Sequence, residues 1–84
     1  MKLEKRLEEV CFSIHERNGG VRFKPFPWDE RFLSGTLNLD SLDLAEVFAV
    51  LEIEFGLKPF ERKAVPSTWI EILPISIDEG FDNR

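Results

Sequence analysis

Apolar residues recur along the chain in two helix-length rhythms, separated by a stretch with no rhythm. Over residues 2–17, KLEKRLEEVCFSIHER, the positions Leu3, Leu7, Val10, Cys11 and Ile14 fall three or four apart, with Lys and Glu between them. That spacing predicts an amphipathic helix with one buried stripe. Asn18-Gly19-Gly20 is expected to stop it, because Asn and Gly tolerate the left-handed residue that ends a helix. A second rhythm covers residues 41–55, SLDLAEVFAVLEIEF: Leu44, Val47, Leu51 and Phe55 form the stripe, with Leu42 and Phe48 on its flanks. Gly56 is placed to end it.

The segments around these helices read differently. Residues 21–37, VRFKPFPWDERFLSGTL, contain Pro25 and Pro27, which forbid a regular helix or central strand. Phe23, Phe26, Trp28, Phe32 and Leu33 are too apolar for a solvated loop. We therefore expect a long connection that packs its aromatic side chains onto the helices. Residues 60–64 have room for one short helical turn. Ser67 is expected to cap a last helix carrying Trp69, Ile70 and Leu73, stopped by Pro74. The acidic tail, residues 75–84, is expected to be loose.

Composition narrows the functional classes. The 84 residues suit one domain, residues 1–84, with a core over about 3–73. Apolar residues make up 43% of the chain, which is ample for a core. One cysteine excludes an internal disulfide, so burial must supply the stability. No apolar run is long enough for a bilayer span, and the N-terminus has no leader pattern. The expectation is a soluble, cytoplasmic monomer with no membrane insertion. The formal net charge of −5 disfavours nucleic acid, whose phosphates need clustered Lys and Arg. Basic protein surfaces are the better match for an acidic chain.

Candidate chemistry centres on "LNLDSLDLAEVF", residues 37–48. Asp40 is a good N-cap, and Asp43, three residues on, completes a pattern like a capping box. Both acids suit the positive end of the helix dipole. That explains Asp40 and Asp43 without any function and leaves Ser41 unexplained. A side chain at the first helical position projects off the end of the domain. A phosphodiester there would lie beside unpaired backbone N–H groups. Elsewhere, His15 is the only histidine and sits on the polar side near the end of the first helix, where a surface role is expected. Cys11 lies on the apolar stripe and reads as a buried structural thiol. No metal-ligand constellation and no nucleophile–base pairing is visible, so an enzyme is not expected.

The stretch LNLDSLDLAEVFAVLEIEFGL resembles the acyl carrier protein family. That family shows Leu-Gly-x-Asp-Ser-Leu followed by a helix ending near Glu-x-Glu-Phe. Here Leu37, Asp40, Ser41, Leu42, Asp43, Glu46, Leu51, Glu52, Glu54 and Phe55 match it. The order of an amphipathic helix, a long loop and a short last helix also matches, over roughly residues 3–73. The resemblance implies an all-α, small four-helix bundle with a long first loop and a short third helix. It implies phosphopantetheine, taken from coenzyme A and attached covalently to Ser41 by a phosphopantetheinyl transferase, with Asp40 and Leu42 beside it. The arm's thiol would hold an acyl group as a thioester for enzymes of fatty-acid, lipid or polyketide-type synthesis, such as ketosynthases. The docking residues carried over are Asp43, Ala45, Glu46, Glu52 and Ile53, with Glu54 a further acid on that helix. Basic patches on partner enzymes would meet them.

Four features depart from the family. Its glycine is Asn38 here, which tolerates positive φ. The acid before its Leu-Gly is Thr36, and an often acidic helix position is Ile53. The third and last helices are short, with Pro59, Pro66 and Pro74 around them, and the first loop is rich in Phe and Trp. These suggest a specialised carrier. Trp28 reads as a loop anchor, or as a wall of a pocket for the arm. The alternatives are a peptidyl or aminoacyl carrier, or an unmodified helical interaction module.

Overall fold

A computed structural model describes residues 2–33, 35–58 and 65–73 of the chain. Within them lies a small, mostly helical domain without strands: helix α1 (Leu3–Arg17), helix α2 (Ser41–Phe55) and a 3-10 turn at Trp69–Glu71. The third helix expected at 60–64 and the tail at 75–84 lie outside the described residues. No helix among the described residues is long and apolar enough to cross a membrane.

Both long helices end for local reasons. Asn18 closes α1 and Gly19 follows with φ +95°, a conformation a glycine adopts without a Cβ clash. The α2 stop is Gly56, left-handed at φ 68°, whose N–H donates to the Glu52 carbonyl at 2.9 Å. Leu57 N–H then reaches back to the Leu51 carbonyl and its side chain is fully buried, a hydrophobic contact typical of such an end.

α1 and α2 run antiparallel. Arg6, near the start of α1, grips Glu54 near the end of α2, with Nε–Oε1 2.8 Å and Nη2–Oε2 2.7 Å. Arg17, at the end of α1, reaches Glu46 and Asp43 near the start of α2. Between these ends lies one apolar cluster, including Leu7, Cys11, Val47, Leu51, Leu57, Trp69 and Ile72, all nearly sealed from solvent. The predicted α1 stripe is buried in full. Phe48, expected on a flank, is buried too. Leu42, expected on the opposite flank, is 80% exposed.

α1 has a second buried side. Phe12, opposite the predicted stripe, is 4% exposed because the 21–37 connection covers it. Phe23 and Phe26 meet its ring edge-on at 5.2 and 5.6 Å, and the Arg22 guanidinium lies 5.3 Å from the ring centroid. The strap continues through Trp28, 4.5 Å from Phe26, and Phe32, 5.2 Å from Phe48 and 4.8 Å from Trp69. Pairs of this kind each contribute about 0.5–1.5 kcal/mol beyond the area they bury. Trp69 thus joins the strap to α2. Backbone bonds reinforce that seam: Ile70 N–H donates to the Trp28 carbonyl at 2.8 Å, beside an isolated bridge between Arg31 and Thr68.

The last segment differs from expectation in its start. Thr68, not Ser67, is the N-cap, and the helical residues open as a 3-10 turn. The Glu71 carboxylate gathers the residues before the turn. It accepts from Thr68 N–H at 3.0 Å and Thr68 Oγ1 at 2.7 Å, and from Ser67 Oγ at 3.1 Å, so both residues are tied in front of the turn.

Candidate functional site

The turn before α2 sets the position of Ser41. Leu37 and Leu39 point into the core, 2% and 4% exposed, and anchor the chain on either side of Asn38. Asn38 takes φ +54°, the left-handed conformation that asparagine was expected to tolerate here. Its N–H donates to the Gly35 carbonyl at 3.1 Å. Thr36 donates from N–H and Oγ1 to one oxygen of Glu30 at 2.8 and 3.0 Å. His15 Nδ1 lies 2.8 Å from the Leu37 carbonyl. A carbonyl only accepts, so Nδ1 carries the proton. His15 is therefore half-buried and structural, packed edge-on to Phe23 at 5.6 Å, and not the free surface residue its place on the helix suggested.

Asp40 and Asp43 form a reciprocal capping box. Asp43 N–H donates to Asp40 Oδ1 at 2.8 Å, and Asp40 N–H to Asp43 Oδ2 at 3.3 Å. Ser41, the first residue of α2, is exposed. Among the described residues no side chain bonds its hydroxyl. The Asp40 carboxylate that neighbours it is committed to the Asp43 amide. Ser41 is thus an accessible hydroxyl with no base bonded to it among the described residues. The amides of Ser41 and Leu42 belong to the first turn, where helix N–H groups lack intrahelical partners. The exposed Leu42 stands next to them.

Asp43 differs from expectation in its burial: carried over as an exposed acid of α2, it is the one buried charged residue among those described, at 9% exposure. Besides the Asp40 amide, it accepts from Asn18 Nδ2 at 2.8 Å and from Arg17 Nη2 at 3.4 Å. The Asp40 backbone hydrogen bond, then Asn18 and Arg17, hold its carboxyl below the ordinary aspartate range, against the opposing effect of burial. The reason is geometric. A side chain at the third helical position points back toward the cap, and here the end of α1 arrives from the same side.

The other positions expected to dock are exposed: Ala45, Glu46, Glu52 and Ile53, the last at 83%. Helical spacing aligns Leu42, Ala49 and Ile53 along one outward line, with Glu46 on one flank and Ala45 and Glu52 on the other. Leu44 and Phe55, expected in the core, are half-buried. Sequence reasoning missed Arg17, Asn18 and His15, which reach the site from the far helix. Their only local signal is a polar cluster at a helix end. Trp28 packs on Phe26 as a loop anchor. Cys11 is fully buried, and burial pushes its thiol well above the ordinary range. No group of histidine, cysteine and carboxylate side chains suited to a metal ion occurs among the described residues. No protein-family model, curated protein or solved structure matched the chain.

Proposed function

We propose that this chain is a carrier domain that holds an acyl group as a thioester on a phosphopantetheine arm attached to Ser41. The observation that carries the reading is the setting of Ser41. It is an exposed hydroxyl at the first position of α2, presented by the Asp40–Asp43 box and preceded by a turn whose Asn38 adopts the conformation a glycine would serve there. The residues suit the arm. The hydroxyl is accessible, the first-turn amides favour a phosphodiester, and Leu42 offers apolar contact beside it. When attached, the arm would supply a mobile thiol for thioester chemistry. The chain's own residues position the serine and leave its proton to a base on the transferase. In this reading the chain is a four-helix bundle whose last helix is short and opens at Trp69. The protein works in the cytoplasm as a monomer, passed between a phosphopantetheinyl transferase and acyl-transferring or ketosynthase-type enzymes.

The test is intact mass after incubation with coenzyme A and a broad-specificity phosphopantetheinyl transferase. The expected result is one phosphopantetheine gained by the wild type and none by Ser41→Ala. A chain that gains nothing, or a variant that still gains, would overturn the proposal. Partner binding that is indifferent to Ser41→Ala, in a chain that never loads, would favour the unmodified interaction module instead.

A further inference from the structure

We propose that His15 is a positioning residue for Ser41: its imidazole pins the Leu37–Asn38 peptide and keeps the turn before α2 from flipping into a second arrangement. The consequence for Ser41 rests on the carrier reading; the pinned peptide stands on the geometry alone. That peptide unit is held at both polar ends. Its carbonyl accepts from His15 Nδ1 at 2.8 Å, and its N–H donates to the Gly35 carbonyl at 3.1 Å. Leu37 is sealed from solvent, so its carbonyl is left without a partner once the imidazole is removed. The ring is held in turn. Phe23 meets it edge-on at 5.6 Å, and Gly20 packs so closely that a Cβ there would lie on the ring. The Gly20 N–H also donates to the His15 carbonyl at 2.9 Å.

A planar peptide can turn over between two nearly fixed Cα atoms, changing only ψ of the residue before it and φ of the residue after it. Here such a flip would leave the buried Leu37 and Leu39 in place and take Asn38 out of the left-handed region, where a Cβ is unfavourable. It would also aim the Leu37 carbonyl away from His15 and the Asn38 N–H away from Gly35. Two hydrogen bonds therefore oppose one conformational cost. Without the imidazole a single bond opposes it, a buried carbonyl is unpaired, and the flipped turn becomes populated. Three residues after Asn38 the chain enters α2 at Ser41, presented by the Asp40–Asp43 box. The flipped turn delivers Asp40 in another orientation, and loading of Ser41 slows. The same end of α1 holds Asp43 through Asn18 and Arg17, so α1 fixes the chain on both sides of Ser41.

Two variants of the full chain remove the bond by different routes. His15→Phe keeps a ring against Phe23 and Gly20 but has no donor. Gly20→Ala puts a methyl where the ring sits and drives the imidazole off Leu37; Gly20 lies outside the left-handed region, so its backbone accepts alanine. His15→Asn returns an N–H at the place of Nδ1. By NMR, the neutral wild-type imidazole is expected as the Nδ1–H tautomer, and Asn38 as left-handed from its Cα shift and its N–H to Hα coupling. In His15→Phe and Gly20→Ala the coupling should move toward extended values and the Asn38 amide should exchange roughly two- to tenfold faster, with His15→Asn closer to wild type. Transferase loading of Ser41, read as kcat/KM, should fall by the same roughly two- to tenfold in the first two variants and recover in His15→Asn. If His15→Phe fails to fold, Gly20→Ala decides alone. An Asn38 that keeps its wild-type coupling and exchange in Gly20→Ala would overturn the pinned peptide. A flipped turn that loads at the wild-type rate would overturn the positioning role. The NMR readout needs no loaded Ser41. A chain that never takes phosphopantetheine overturns the carrier reading, and the positioning role with it, while the peptide test still stands.

Discussion

Replacing Asn38 isolates the turn that presents Ser41. Its φ of +54° lies in the left-handed region, and no side-chain hydrogen bond of Asn38 appears among the described residues. The energetics therefore reduce to backbone conformation. A residue with a Cβ costs about 1–2 kcal/mol in this region, and asparagine is among the few that tolerate it. Asn38→Ala is expected to destabilise by about 1 kcal/mol and Asn38→Val by about 2 kcal/mol. Asn38→Gly should stay within about 0.5 kcal/mol of wild type, because glycine enters the region freely but loses more chain entropy on folding. Urea unfolding followed by helix circular dichroism measures these differences directly. In a thermal melt, 1 kcal/mol corresponds to about 4–8 °C for a domain this small. The turn feeds straight into the Asp40–Asp43 box. On the carrier proposal, the rate of Ser41 loading by a transferase should follow the same order, valine slowest and glycine nearest wild type. An Asn38→Val variant as stable as wild type, or an Asn38→Gly variant destabilised as much as the valine, would refute the reasoning.

Trp69→Ala removes the ring that joins the strap to α2. A fully buried tryptophan truncation costs about 3–5 kcal/mol, a large share of the roughly 4–13 kcal/mol expected for 84 residues, so calorimetry should find a greatly lowered or absent transition. Acid should destabilise the protein through Asp43, Glu54 and Glu71, all held below the ordinary carboxylate range. Their folded-state values are depressed, so their contribution is complete above the ordinary range and is lost as pH falls through and below it. Denaturation midpoints measured from neutral to acid pH should fall, and Asp43→Asn should flatten the slope; an unchanged slope would show that Asp43 does not contribute. Cys11, sealed in the core with its thiol pushed up, is expected to resist alkylation in the native state and to react once denaturant is added. Rapid native labelling would contradict its burial.

The sequence made the two long helices legible because their signals are local. α2 begins at Ser41 and ends at Phe55 as read, since Asp40 and Gly56 mark its ends within one turn. α1 likewise ends where its Asn-Gly stop was read, and starts at Leu3, one residue later than read. The aromatic connection was legible as packed, from its composition. What it packs on was not. A periodicity argument assigns a helix one buried side, and Phe12 lies opposite that side, buried only because the strap returns over it. Asp43 failed for a related reason. Its exposure depends on Arg17 and Asn18, more than twenty residues away, and no helical spacing within α2 reveals what approaches from α1. Thr68 in place of Ser67 is a smaller error: two adjacent hydroxyl residues both suit a cap, and both bond the Glu71 carboxylate. For the candidate site, the serine, its box and the exposed Leu42 and Ile53 were visible. The supports from α1 were not.

The two arginine clasps have one more property. Residues 6 and 17 are eleven apart on α1, and residues 43 and 54 are eleven apart on α2, so the clasps form matching marks at the two ends of an antiparallel pair. Apolar stripes of leucine and valine can slide past one another by one turn, about 5.4 Å, at modest loss. Such a slip would part Arg6 from Glu54 and carry the buried Asp43 away from Asn18 and Arg17. The clasps therefore act as a vernier. Each adds little to stability, but together they distinguish the native registration of the helices from its nearest competitors, and with it the height at which Ser41 stands above the end of α1.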